Sequence, residues 1–242
     1  MPLPPIHSLA RQRASHGVTL LVWHDLVPLE SDKLVWFDTP VPLFEAQIAR
    51  IERAGARPIS LDALHAYLAN GGPTPPPGAV VLCFDDNTVG IADHAAPRLA
   101  KRGWPWALSA HTKYIGVTTG KTHNTYDALL AMRGLGATIV SQTHTHPPDL
   151  RTFPSAKLDF EMGHSRALLE ARLAGPVRYV TYPSGHWDDR VAAAAQRAGY
   201  QLAFTEDNGY AETSPHLLGI HRFSTHRRFE EAVTAIRRSA RG

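Results

Sequence analysis

Apolar and polar positions along this chain fall into short blocks. Apolar runs at 17–23, 80–84, 106–110, 137–141, 177–182, 201–205 and 217–223 read as strands. A buried strand favours β-branched and aromatic residues, and Val80, Val81, Leu82, Cys83 and Phe84 supply them in one stretch. Between the runs the spacing turns helical. Phe44, Ile48 and Ile51 share one helix face that stops near Gly55. Ser60 is a good N-cap for a helix over 61–68, closed by Asn70 and Gly71. Further helices are predicted at 91–102, 126–132, 159–174, 188–198 and 228–238. Residues 72–78, four of them proline, make a stiff connector. About seven strands mostly separated by helices predict a parallel α/β barrel or a doubly wound sheet. The basic, proline-containing stretch 1–16 is expected to be a flexible arm, and 17–242 a single domain without internal repeats.

Most runs end in chemistry-bearing side chains. His24 and Asp25 follow the first, Asp85 and Asp86 the second, His111 the third, residues 142–146 the fourth and 183–186 the fifth. In a parallel barrel such strand ends converge on one face, where active sites sit. Adjacent carboxylates repel each other and resist desolvation, so Asp85 and Asp86 are a poor choice for packing. They make sense if a metal ion or a reacting proton lies between them. A carboxylate pair and an imidazole pair, His144 and His146, at strand ends suggest a metal-dependent hydrolase.

The chain has 242 residues, 43% of them hydrophobic and 19% charged, so it is long and apolar enough for a well-buried core. Its formal net charge is +3, with arginine spread along the chain. That excludes the dense basic block expected of a nucleic-acid binder. Fourteen histidines exceed ordinary usage and gather near strand ends, as in a metal site. The single cysteine, Cys83, forms no internal disulfide and reads as a buried, inert thiol. No apolar run reaches eighteen residues, so no membrane span is expected. The first residues lack the apolar core of a signal peptide, which leaves a cytoplasmic protein or a mature exported form.

Taken in order, these clusters resemble the motifs of the polysaccharide deacetylase family, carbohydrate esterase family four. Phe84-Asp85-Asp86 is similar to its first motif, with Asn87 where glycine is usual. Residues 142–150 resemble the second, a histidine pair followed by proline and Asp-Leu. His146 matches the final histidine, and Gln142 replaces the first. Tyr182-Pro183-Ser184-Gly185 resembles the third, but Thr181 stands where many members carry arginine. Residues 21–25 and 58–62 are similar to the branch that includes the poly-N-acetylglucosamine deacetylases, whose general-acid histidine sits on the N-terminal strand.

The resemblance implies an irregular barrel of about seven strands, a hydrolase of linear amide C–N bonds, and an N-acetylated carbohydrate substrate. It implies a divalent cofactor, zinc first, with nickel or cobalt possible. Asp86, His146 and Gln142 would be the ligands, with His144 and His111 as alternatives to Gln142. Asp85 would be the base and His24 the acid. Backbone N–H groups near Ser184 would stabilise the oxyanion, and Tyr182 or Trp187 would stack on a sugar. His164, His216, His221 and His226 have no motif support and read as surface or packing residues. Two other readings compete. One is a non-catalytic carbohydrate-binding protein with a weakened metal site. The other is a hydrolase built on a His144-x-His146 pair, disfavoured because that pair follows the fourth strand rather than the first.

Overall fold

The computed structural model describes Ile6, Ser8, Leu9 and residues 17–241. The arm expected over 1–16 lies almost wholly outside the described residues. Ser8 bridges His216, and Leu9 N–H donates to Pro215 O.

Seven parallel strands form the framework. They are β1 (Thr19–Trp23), β2 (Ala79–Phe84), β3 (Trp106–Ala110), β4 (Ala137–Ser141), β5 (Tyr179–Thr181), β6 (Leu202–Phe204) and β7 (Phe223–Ser224). Their spatial order is β6-β5-β4-β3-β2-β1-β7, so chain order is also neighbour order from β1 to β6. Arg57–Pro58 adds a short parallel strand beside the start of β2. The predicted run 217–223 is not one continuous strand. Ile220 pairs with Phe204 of β6, while Phe223 pairs with Leu21 of β1. One segment with two partners thus joins the sheet's edges, giving an irregular barrel rather than a regular one.

Seven helices surround or cap this sheet: α1 (Val41–Arg53), α2 (Leu61–Asn70), α3 (Ala96–Lys101), α4 (Tyr126–Gly134), α5 (Ser155–Leu173), α6 (Asp189–Arg197) and α7 (Phe229–Arg241). Side-chain caps start three of them. Ser60 accepts from Ala63 N–H, Thr125 from Ala128 N–H and Asp188 from Val191 N–H. The helix expected over 91–102 is divided: a π-helical turn at Ile91–Ala95 precedes α3. Pro97 offers no N–H, and its ring crowds the carbonyl four residues earlier, which favours the wider turn.

β1 and β2 are buried at every position, as expected of strands covered on both faces. Leu21, Trp23, Leu82 and Phe84 face the outer helices, packing with Phe44 and Ile48 of α1 and Val233 of α7. Leu20, Val22, Val81 and Cys83 face inward, with Tyr179, Phe204 and Ile220. Leu61, Leu64 and Leu68 of α2 join that inner cluster, and Asp62 bonds Arg178 and Tyr179 at the start of β5. α2 therefore plugs the barrel at the N-terminal ends of its strands. Burial pushes the Cys83 thiol up to about 12, in keeping with an inert side chain. Among the described residues no helix is long and apolar enough to cross a membrane.

Candidate active site

Strand register brings the predicted polar residues to one rim. Trp23 pairs with Phe84, Phe84 with Leu108, and Ala110 with Ser141, so His24 leaves the sheet level with Asp85, and His111 level with Gln142 two residues farther along. The backbone there is strained. Asp86, Asn87, Thr143, His146 and Ser184 all have positive φ, between 52° and 75°. Such conformations cost about 1–3 kcal/mol each in non-glycine residues and collect at functional sites. Asn87 has φ 54°, a conformation that glycine adopts freely and asparagine tolerates better than most other residues. Its amide also donates to Asn124 O.

Three side-chain atoms form a triangle at the rim. Gln142 Nε2 lies 3.0 Å from Asp86 Oδ1 and 3.2 Å from His146 Nε2, and Asp86 Oδ1 lies 3.5 Å from His146 Nε2. Atoms bound tetrahedrally to one ion at ~2.0–2.2 Å lie roughly 3.3–3.6 Å apart. The Asp86–His146 edge has that length, and the two edges to Gln142 are a few tenths shorter. Among the described residues no group of three or more His, Cys, Asp or Glu side chains could hold a metal ion alone. The third atom of the triangle is the Gln142 amide nitrogen. The residues fit a divalent ion in spacing, provided the Gln142 amide presents its oxygen. Burial opposes charge on Asp86, but the His146 hydrogen bond and the nearby charges of His24, His146 and His111 outweigh it and hold the carboxyl well below the usual range.

His144 turns away from this triangle. Its Nδ1 bonds Thr112 Oγ1 at 2.8 Å, and its ring packs on His164 and Phe160. Glu161 accepts from His144 N–H and Thr145 N–H, fixing that turn. His111 is closer, its ring 5.0 Å from that of His146, and burial lowers it to about 4. Its Nδ1 and that of His24 are buried without a protein hydrogen bond.

Asp85 points into the barrel, where sequence reasoning missed its partner. Arg222, 1% exposed, donates Nη1 to Asp85 Oδ1 at 3.0 Å and Nη2 to Asp85 Oδ2 at 2.8 Å. It also donates to Glu206 Oε1 at 3.0 Å and Thr205 O at 2.9 Å. Burial opposes the guanidinium's charge, but Asp85 and Glu206 outweigh it and keep Arg222 protonated. An arginine inside the apolar run 217–223 was the available signal, since a buried charge requires a partner.

A cleft of ≈ 690 Å³ opens beside the triangle, lined by Asp86, His111, His146, Phe37, Tyr114 and Lys121 among others. Lys121, on a hairpin of Thr118–Thr119 and Lys121–Thr122, donates to Asp25 at 3.0 Å and also to Asp38. That pair of bonds ties together the segments 25–41 and 112–125. The His24 ring lies 4.9 Å from Phe37 and 5.6 Å from His226. His226, expected to be a surface or packing residue, thus packs beside His24. Beyond it Trp36, 57% exposed, is held by Arg227 at 4.6 Å and by the edge of His226 at 4.8 Å.

The residues after β5 correct the stacking expectation. The Tyr182 ring is fully buried and its hydroxyl donates to Leu218 O, so it has no free face for a sugar. Trp187 is half-buried, stacked on Tyr182 with its Nε1 donating to Asp207. Ser184 is exposed on a tight turn, with φ 55°.

Residues 72–203, more than half the chain, match the sequence profile described as polysaccharide deacetylase. The chain belongs to the polysaccharide deacetylase family. The Bacillus subtilis (strain 168) protein YxkH, named for the same family, is 28% identical over 144 residues, 59% of this chain. The chain spans about half the length of that relative. Solved deacetylase folds cover nearly all of the barrel. Streptococcus pyogenes deacetylase PplD, in complex with acetate, superposes with a TM-score of 0.76 at 24% identity, over 86% of this chain and 92% of its own. Ammonifex degensii IcaB superposes with a TM-score of 0.80 at 19% identity, over 92% and 97%. At these identities the likeness establishes the distorted deacetylase barrel. Within that barrel this chain carries Gln142 in the triangle.

Proposed function

We propose that this chain is a metal-dependent hydrolase that removes N-acetyl groups from an amino-sugar polymer or oligosaccharide. One observation carries the reading. Asp85, gripped on both oxygens by Arg222, directly precedes Asp86 of the Asp86–Gln142–His146 triangle, and Asp86 and His146 line one cleft. Amide hydrolysis requires water to lose a proton as it attacks the carbonyl carbon, and the leaving nitrogen to gain one. Asp86, His146 and the Gln142 oxygen would hold a divalent ion, zinc first and nickel or cobalt next, which supplies an acidified water and a polarised carbonyl when bound.

The chain's own residues do the rest. Asp85 takes the water proton. Arg222 fixes the carboxylate plane and leaves one lone pair on each oxygen. His24 delivers a proton to the leaving amine. The backbone at Ser184 offers N–H donors to the tetrahedral oxygen. Trp36, 57% exposed next to the cleft-lining Phe37, is a better candidate than the buried Tyr182 for contact with a sugar ring. The acid on the first strand, with the motifs at 21–25 and 58–62, supports placing the chain in the branch that includes the poly-N-acetylglucosamine deacetylases.

The test is acetate release from N-acetylglucosamine oligomers by metal-supplemented protein. Turnover is expected in the wild type and none in Asp85→Asn. Absence of acetate with oligosaccharide still bound would favour the carbohydrate-binding alternative. Gln142, in place of an imidazole, is the observation that lends that alternative weight.

A further inference from the structure

The Gln142 carboxamide has a determined orientation. Its Oε1 accepts from Asp86 N–H at 3.0 Å, and its Nε2 donates to Asp86 Oδ1 at 3.0 Å. An N–H requires an acceptor and a carboxylate a donor, so exchanging the two amide ends would break both bonds at once. The side chain is buried, only 2% exposed, and Asp86 N–H belongs to a residue held at φ 75°. The atom facing both Asp86 Oδ1 and His146 Nε2 is therefore an NH₂ group. It is a hydrogen-bond donor with no lone pair to offer a cation.

We infer that Gln142 is a built-in plug of the ion site: in the resting chain its NH₂ occupies the third corner, and a divalent ion enters only when the amide reverses and gives up the Asp86 N–H bond. This rests on the functional reading above and adds a property that reading does not contain. The chain keeps its site assembled without an ion, because the amide satisfies both the backbone and the carboxylate of Asp86. Ion loading is correspondingly weak and reversible. Once reversed, Gln142 contributes a neutral oxygen, so the ligand set is one imidazole nitrogen and two oxygens. That set favours zinc over oxygen-preferring ions such as manganese less than an imidazole-rich set does.

A carboxylate at position 142 separates amide orientation from reach. Gln142→Glu has the same length; one of its oxygens can keep the Asp86 N–H bond while the other faces the corner. The measurement is calorimetric titration of stripped protein with zinc and with manganese, which needs no substrate. Gln142→Glu and Gln142→His are expected to bind zinc ~10–100-fold more tightly than the wild type, the range found when support of a metal ligand is altered. The zinc-to-manganese preference is expected to be smaller in the wild type than in Gln142→His. Hydrogen exchange gives a second readout: Asp86 N–H should be protected in the stripped wild type and lose protection on zinc loading.

Equal zinc affinity in the wild type and Gln142→Glu, or an Asp86 N–H that stays protected in the zinc-loaded wild type, would overturn the plug and leave the hydrolase reading intact. No zinc binding in any of the three proteins would overturn the metal-dependent reading itself, and the plug with it. Should Gln142→Glu fail to fold, the comparison with Gln142→His and the exchange measurement on the wild type carry the same decision.

Discussion

Arg222→Met tests how the proposed base is held. The guanidinium makes four hydrogen bonds, two to Asp85 and one each to Glu206 and Thr205 O, and it is 1% exposed. Methionine fills much of the same space and supplies none of them. Asp85, itself 2% exposed, would be left as a buried carboxylate without its counter-ion. Removing one partner of a buried ion pair costs about 3–5 kcal/mol, because the remaining charge is uncompensated. Against a total stability of roughly 5–15 kcal/mol that is a large fraction. At about 2.1 cal/mol/K per residue, a 242-residue chain unfolds with an entropy near 0.5 kcal/mol/K, so the melting temperature should fall by roughly 6–10 °C.

The assay is urea unfolding at pH 7 on the wild type, Arg222→Met, Asp85→Asn and the double variant. Asp85→Asn leaves Arg222 paired with Glu206 and should cost less, about 1–3 kcal/mol. In the double variant the side chain at position 85 is a neutral amide, so its loss should be at least ~1 kcal/mol smaller than the sum of the singles. Arg222→Lys keeps the charge without the planar fork and should fall between wild type and Arg222→Met. An Arg222→Met protein within ~0.5 kcal/mol of wild type, or a cycle additive within ~0.5 kcal/mol, would refute the idea that this pair is an energetic unit.

Three further outcomes follow from the structure. Asp85→Asn should lose acetate release while its zinc affinity stays within about threefold of wild type, since Asp85 lies outside the triangle; wild-type-like turnover would remove it from the mechanism. Trp36→Ala should raise KM for oligosaccharides with little change in kcat, and leave the melting temperature within about 2 °C because the indole is mostly exposed; an unchanged KM would rule out stacking there. Burial pushes the Glu212 carboxyl above its ordinary 4.5, so the folded state holds that proton more tightly than the unfolded one. Its contribution to stability is thus greatest below about pH 4.5 and is lost as pH rises through the folded value. Glu212→Gln should lessen the fall of stability over that window, and identical pH profiles for the two proteins would contradict the assignment.

The barrel strands were legible because burial on both faces leaves little room for polar residues inside them. The rim was legible for the opposite reason: Asp85, Asp86, Gln142 and His146 are residues a core would reject. What the pattern did not reveal depends on distant pairing. The strand expected at 217–223 reads as one apolar run, and only the need to serve both β6 and β1 divides it. Tyr182 reads as an aromatic beside the site, yet ring direction is set by packing on Trp187 and by the Leu218 carbonyl, neither of which spacing encodes. Lys121 gave no signal at all, because its meaning lies in Asp25 and Asp38, more than eighty residues away in sequence.

Thr181 and Gln142, where the resemblance leads one to expect an arginine and a histidine, have different surroundings. Thr181 is buried and bonded to Ser109 Oγ at 2.8 Å. A guanidinium reaches the inward carboxylate of Asp85 from the residue just before β7. Closure makes this possible. β7 lies beside β1, and β1 beside β2, so a long side chain at 222 spans one strand to meet Asp85. At the triangle the Gln142 amide itself fills the third corner, since His144 is turned outward by Thr112 and Glu161. A side chain that fills the corner governs what the proposed site accepts, and the zinc affinities of the wild type and Gln142→His measure that effect directly.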